Sequence, residues 1–239
     1  MINLREYFQY KSNFAVSADT AKARSYFIES TDLNQDGMKD VILFGFTFPN
    51  IGVTTAIPQG SIFYWGSNSG TYSQPTAGSI SLPSTTHPRE IAYADFNNDG
   101  KLDIFLADHG WDTAPFPGGQ NQLILSSTSG WAISTSNLPN RNDFTHCTAV
   151  GDINNDGNID LLIAGNLFTS EVETPRNDAG NGLMLIGNGD GTFKAKARKE
   201  TGFFAPSDAK KLSLIKVNDQ QGVIVGNNND LMQYFKRIE

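Results

Sequence analysis

The stretch DFNNDGKLD, from Asp95 to Asp103, has Asp at its first, fifth and ninth positions, Asn at its third and Gly at its sixth. The same residue types occupy the same positions in DLNQDGMKD, Asp32 to Asp40, and in DINNDGNID, Asp152 to Asp160. One copy would be compatible with an ordinary turn, because Asp, Asn and Gly are common turn residues. Three matching copies indicate instead a repeated loop with a shared role.

The loops carry the hard oxygen ligands that calcium prefers. Positions 1, 3, 5 and 9 offer side-chain oxygens, position 7 offers a backbone carbonyl, and Gly at position 6 permits a sharp turn. The predicted ligands are Asp32, Asn34, Asp36, Met38 and Asp40; Asp95, Asn97, Asp99, Lys101 and Asp103; and Asp152, Asn154, Asp156, Asn158 and Asp160. An EF-hand is excluded, because position 12 is Leu43, Leu106 or Ile163 instead of the closing Glu. We therefore predict three structural calcium ions.

The composition bounds the classes of protein that fit the chain. Its 239 residues can bury a sizeable core, and a hydrophobic content of 38% excludes a disordered chain. A net charge of −7 without a basic stripe argues against nucleic acid as a partner. No apolar run approaches the ~20 residues of a membrane span. A lone Cys147 excludes an internal disulfide and a cysteine-rich metal site.

The same order of predicted strands surrounds each loop. A short run precedes the loop, and an aliphatic run follows it: DVILFGF, DIFLADHG or DLLIAGN. Apolar residues at successive positions predict a central strand packed on both faces. A long connection then leads to a third strand, a Gly-rich turn and a fourth strand. We therefore predict four antiparallel strands per unit, with the loop joining the first strand to the second.

This combination of strand, DxNxDGxxD loop, aliphatic strand and Gly resembles the FG-GAP and VCBS repeats, which form the blades of integrin-alpha-like β-propellers. The resemblance covers about residues 24–205 and, weakly, the last unit. It implies an all-β fold, a β-propeller of four-stranded antiparallel blades, with calcium held by the Asp and Asn positions of the intact loops. The expected blades, about four in this chain, are residues 22–83, 84–140, 141–205 and a degenerate, metal-free 206–239.

The sequence does not decide whether the blades form a closed ring. Residues 2–9 can supply the missing fourth strand of the last blade, or they can belong to a preceding blade. Propellers of this family usually have seven blades. The alternatives are therefore a closed four-bladed ring, a ring with missing blades, or a homodimer in which two chains share one ring.

Candidate ligand contacts are expected at the blade end opposite the loops. The connection HGWDTAPFPGGQ is long and aromatic, and loops of that length are often functional. Residues six before each loop are expected near the central channel, where they would meet an anionic or hydroxylated ligand. The candidates are Tyr26, Arg89, His109, Trp111, Asp112 and His146. The alternative is that the aromatic residues pack the loop and that the strand-start residues are merely solvated.

The predicted function is a non-catalytic binding module for protein or glycan recognition and adhesion. Catalysis has little support, because the chain has three histidines and no HExxH or GxSxG motif. A polysaccharide-processing lyase or hydrolase on the same scaffold is the alternative. Weak calcium loops suit millimolar extracellular calcium, so we expect an extracellular, cell-surface or periplasmic location. The segment MINLREYFQYKSNF, however, lacks the apolar core of a signal peptide.

Overall fold

The computed structural model describes residues 26–46, 61–111, 117–166, 168, 180–218 and 220–237. Antiparallel sheets dominate these residues, which confirms the all-β prediction. The first sheet contains β1 (Tyr26–Thr31), β2 (Asp40–Gly45), β3 (Ile62–Gly66) and β4 (Tyr72–Ser73), paired in that order. Thr31 pairs with Asp40, so the first loop closes the β1–β2 hairpin directly.

The second sheet repeats this arrangement with one insertion. Its region contains β5 (Pro88–Ala94), β6 (Asp103–Asp108), β7 (Gly119–Gln120), β8 (Gln122–Ser127), β9 (Gly130–Ile133), a 3₁₀ helix (Thr135–Asn137) and β10 (Asn142–Asp143). The blade itself is the sheet β5-β6-β8-β9, and β7 pairs with β10 in a separate two-stranded sheet. All six residues of β6 are buried, as expected of a central strand packed on both faces.

The third sheet contains β11 (Cys147–Gly151), β12 (Asp160–Ala164), β13 (Leu183–Gly187) and β14 (Phe193–Lys196), and the short helix α1 (Arg198–Thr201) follows it. The fourth sheet has three strands: β15 (Ala209–Val217), β16 (Gln220–Asn227) and β17 (Gln233–Lys236). Val217 pairs with Gln220, so β15 and β16 are closer in sequence than the equivalent strands of the other units, which the nine-residue loops join. Three strands of the last unit thus form one antiparallel sheet in the described residues, and its assignment as a degenerate blade stays a prediction.

The sheets pack face to face in chain order, and we number them blades 1 to 4. The first strands β1, β5, β11 and β15 lie side by side, and each of the three interfaces between neighbouring sheets contains a hydrophobic cluster. Trp65 and Trp131 meet between blades 1 and 2, with ring centroids 5.5 Å apart. Phe96 and Phe193 meet edge to face between blades 2 and 3 at the same distance. Such aromatic pairs stabilise an interface beyond their buried area.

Within the described ranges none of the sheets closes on itself, so the architecture is a row of propeller-like blades. Residues 2–9, the candidate closing strand, lie outside the described residues. No helix in the described part of the chain is long and apolar enough to cross a membrane.

Candidate functional site

The three Asp-rich loops share one backbone conformation. Positive φ angles recur at their fourth and sixth positions: Gln35 (61°), Asn98 (55°), Asn155 (62°), Gly37 (90°), Gly100 (84°) and Gly157 (89°). The left-handed conformation at position 6 requires glycine, because a Cβ atom would be strained there. The turn predicted at this glycine is therefore confirmed in all three loops.

Positions 1, 3 and 5 of each loop are held together by backbone N–H groups. In the second loop the Asp99 N–H donates to Asp95 Oδ1 at 3.0 Å and to Asn97 Oδ1 at 3.1 Å. The Gly100 N–H donates to Asp95 Oδ2 at 2.7 Å. The same bonds occur in the first and third loops. Because one N–H contacts both acceptors, the oxygens of positions 1 and 3 lie next to each other.

The ninth-position Asp has a different environment, since it is completely buried in all three loops. Asp103 Oδ2 accepts the Phe96 N–H at 2.7 Å, and its Oδ1 accepts the Ser126 N–H at 2.6 Å. Asp40 and Asp160 make the equivalent bonds to their own loops and to the ends of β3 and β13. This carboxylate therefore ties the loop to the third strand of its blade.

Burial raises the pKa of the ninth-position carboxyl in each loop, and repulsion from the fifth-position carboxylate raises it further. These carboxyls are Asp40, Asp103 and Asp160. Their backbone hydrogen bonds act in the opposite direction, because they stabilise the ionised form. Negative charge from Asp carboxylates is thus concentrated in each loop.

The donor set of the loops fits calcium in its chemistry, since all the offered atoms are hard oxygens. In the second loop Ser126 Oγ lies 2.9 Å from an Asp99 oxygen and 2.6 Å from an Asp103 oxygen, so its single O–H can donate to either carboxylate, and the two carboxylates are close together. No group of three or more His, Cys, Asp or Glu side chains in the described residues forms a ready metal site. The backbone bonds of the ninth-position Asp are consistent with this finding, because they orient its carboxylate toward N–H donors. The assignment of the loop residues, including the ninth-position Asp, as calcium ligands stays a prediction.

A second group of polar side chains lies at the other end of the strands. Pro88 pairs with Asp108, and Cys147 pairs with Ala164, which puts the residues beside them at the end opposite the loops. There the three histidines of the chain, His87, His109 and His146, form an imidazole cluster. The rings of His87 and His109 are 5.2 Å apart, and those of His109 and His146 are 4.6 Å apart.

A directional chain of hydrogen bonds links this cluster to the last blade. Lys210 Nζ lies 3.1 Å from His146 Nδ1, and His146 Nε2 lies 2.6 Å from His109 Nδ1. An ammonium group can only donate, so His146 Nδ1 is the acceptor and its Nε2 carries the proton. The proton on His146 Nε2 is then donated to His109 Nδ1. Lys210 also pairs with the buried Asp208 at 2.5 Å.

The imidazoles are neutral at pH 7. Burial is the main cause that lowers their pKa values, to about 3 for His87, about 2 for His109 and about 3 for His146. The charge of Arg89 adds to the effect on all three, and that of Lys210 adds to it on His109 and His146. The Arg89 and Lys210 charges are therefore both close to the cluster.

The structure brings together three of the predicted contacts, Arg89, His109 and His146. Arg89 is exposed, whereas His109 is 0% and His146 is 6% exposed, so the two rings support the surface from beneath. Trp111 is half-buried, and its backbone N–H donates to the Gly118 carbonyl at 3.3 Å. Asp112 lies outside the described residues, as does the side chain of Tyr26.

His87 was not among the predicted contacts, and a β-bulge explains why. The register of β5 shifts between Pro88 and Glu90, so Arg89 is an extra residue on its strand. Counting six residues back from the loop therefore reaches Arg89 in blade 2 but His146 in the regular blade 3. A better signal is the residue directly before the first strand, which is His87, His146 or Asp208 in blades 2 to 4.

Comparison with known families agrees with the repeat that the loops and strands define. No curated protein matches the chain. Residues 32–106, from the first loop to the middle of β6, match the FG-GAP-like repeat model. The chain thus carries an FG-GAP-like repeat, as expected of an FG-GAP or VCBS repeat protein.

Proposed function

We propose that the chain is a calcium-stabilised, propeller-like module that recognises a protein or a glycan outside the cell. The FG-GAP-like repeat at residues 32–106 supports a recognition or adhesion module. The main support for the proposal is that two groups of polar residues lie at opposite ends of the blades. The carboxylate loops are at one end, and the imidazole cluster with Arg89 and Lys210 is at the other. One end would hold ions, and the other would contact the partner.

Calcium in the loops would stabilise the blades without taking part in recognition. Between described residues, none of the nine loop Asp side chains forms an ion pair with Lys or Arg. A divalent cation would relieve the repulsion within each loop, and it would fix the turn between two strands. Positions 1, 3 and 5 and the carbonyl of position 7 would hold it, with position 9 as the further candidate. Millimolar extracellular calcium suits weak loops of this kind.

The recognition surface would consist of Arg89 and Lys210 above the buried imidazole cluster. The hydrogen bond from Lys210 to His146, and from His146 to His109, restrains the ammonium group and so lowers the entropic cost of binding. An ammonium and a guanidinium group suit carboxylate or sulfate groups and sugar hydroxyls. We therefore propose an anionic or hydroxylated ligand at this end.

The variant Arg89→Ala/Lys210→Ala is expected to lose at least about tenfold in affinity for a glycan or protein that the parent chain binds, because hydrogen bonds to charged groups contribute about 1.5–3 kcal/mol each. Oligogalacturonate and oligomannuronate, with cello-oligosaccharides as neutral comparisons, are suitable first probes on a glycan array. Affinities of the positive probes are then measured by isothermal titration calorimetry.

Lys216→Ala is the matched control, because Lys216 is exposed on the same strand β15 but near its opposite end. If Lys216→Ala lost as much affinity as the double variant, or if the double variant lost none, the proposal that Arg89 and Lys210 contact the ligand would be contradicted. Release of shortened oligosaccharides from the same probes would instead favour the polysaccharide-processing enzyme. Absence of turnover, together with binding, supports the module.

A further inference from the structure

A wide cleft of about 980 Å³ separates blades 3 and 4 near the third loop. Its walls are formed by β12 to β14 on one side and by β15 to β17 on the other, and α1 lies at its rim. This volume is at the upper end of the range found for small-molecule sites, which also favour the junctions between packed units.

The other two interfaces between blades are filled at the equivalent place. The second loop residue is Leu33 in blade 1 and Phe96 in blade 2, and these side chains are 0% and 1% exposed. The Trp65–Trp131 and Phe96–Phe193 contacts complete the filling. The equivalent residue of blade 3 is Ile153, which is smaller than Phe96, only half-buried, and lines the cleft. The opening is thus particular to the interface between blades 3 and 4.

The floor and the rim of the cleft differ in chemistry. The floor is apolar and includes Leu162, Met184, Ile186, Phe203, Leu214, Val223 and Phe235. The rim carries four cations and one acid: Lys196, Lys199, Lys236, Arg237 and Glu200. Glu200 pairs with Lys196 at 3.3 Å, which leaves an excess of positive charge at the rim.

We propose that this cleft binds a small amphipathic anion, with an apolar chain or ring against the floor and a carboxylate, sulfate or sulfonate group at the rim. Burial of an apolar body against seven apolar side chains supplies the driving force, about 25 cal/mol per Å² of apolar surface. The cationic rim selects the anionic head group over a neutral or cationic one. The site is separate from the recognition surface at Arg89 and Lys210.

Decanoate is the probe that tests the charge and the apolar part together. Calorimetry of the folded chain is expected to give one decanoate per chain. Decyltrimethylammonium, which has the same chain length and the opposite charge, should bind at least about tenfold more weakly. Acetate, which has the head group alone, should show no heat of binding. Equal affinity of the two ten-carbon probes, or no binding of decanoate, would overturn the proposal.

Two variants locate the bound probe. Lys199→Glu/Lys236→Glu should weaken decanoate binding about tenfold, since two exposed charges at the rim are reversed. Lys194→Glu is the control, because Lys194 is exposed on β14 but does not line the cleft, and it should leave the affinity unchanged. Leu214→Trp should block binding by filling the cleft, with folding verified by circular dichroism. If that variant does not fold, the rim variants decide the question.

Arg89→Ala/Lys210→Ala separates this site from the proposed recognition surface. It should bind decanoate like the parent chain, whether or not the surface at those residues binds a glycan. Loss of decanoate binding in that variant, or full retention in the rim variant, would place the probe elsewhere and overturn the assignment.

Discussion

Asp103→Ala is expected to lower the free energy of unfolding by about 3–5 kcal/mol, a large part of the stability of an ordinary domain. The carboxylate is fully buried and accepts hydrogen bonds from the Phe96 N–H, the Ser126 N–H and the Ser126 hydroxyl. Removing it leaves the Phe96 and Ser126 N–H groups without their acceptor in the interior, where each unpaired group costs about 1–3 kcal/mol, whereas the Ser126 hydroxyl can still donate to Asp99. Urea denaturation monitored by tryptophan fluorescence measures the change.

Asp99→Ala is the informative comparison, because Asp99 occupies the exposed fifth position of the same loop. With calcium chelated, Asp99→Ala should lower the free energy of unfolding much less than Asp103→Ala does. With calcium present, the losses in the two variants should become more similar, because Asp99 is a predicted calcium ligand. Asp190→Ala, in an exposed turn outside the loops, controls for loss of a carboxylate in general. Similar costs for Asp103→Ala and Asp190→Ala would contradict the structural role of the ninth position.

Acidification from pH 7 to pH 5 is expected to destabilise the fold through the imidazole cluster. Burial holds the pKa values of His87, His109 and His146 near 2 to 3, against 6.5 in the unfolded chain. As the pH falls below 6.5 the unfolded state takes up protons and the folded state does not, so stability is lost. Each imidazole that stays neutral contributes about 2 kcal/mol to this loss between pH 7 and pH 5. Chemical denaturation at fixed pH values measures it.

The charged groups around the cluster influence how readily its imidazoles are protonated. Arg89 and Lys210 disfavour protonation of the imidazoles. The carboxylates close to the cluster are Asp208, which pairs with Lys210, and Asp108, which accepts the His87 backbone N–H. Replacing all three histidines by glutamine keeps neutral hydrogen-bonding side chains that do not titrate. This triple variant should lose most of the pH dependence between 7 and 5. An unchanged slope would show that other groups cause the acid sensitivity.

The loops and the strand order could be predicted because their signals are local. Gly100 at position 6, or Asp103 before an aliphatic run, determines a turn or a strand start through its own backbone and near neighbours. The second role of Asp103, as an acceptor for a strand more than twenty residues away, depends on the β6–β8 register and has no local signal. The sequence therefore predicted that a strand begins at Asp103, but not the contact of its carboxylate with β8.

The candidate site could be predicted only in part, because it forms from three blades. His109 and His146 were found, but the bulge at Arg89 hid His87 from a count of residues. The cleft beside Ile153 could not be seen at all, since it depends on how well the side chains of two sheets fill their interface. Lys196 and Phe235 come together there only through packing.

The most direct test of the three calcium sites is the number of calcium ions per chain, counted by native mass spectrometry after equilibration with millimolar calcium and again after chelation. We expect three ions on the parent chain, none after chelation, and two on the variant Asp152→Ala, because only the third loop loses its first ligand. The same count per chain should hold whether the protein is a monomer or a dimer. No bound calcium, or a count that Asp152→Ala leaves at three, would contradict the assignment of the loops as calcium sites.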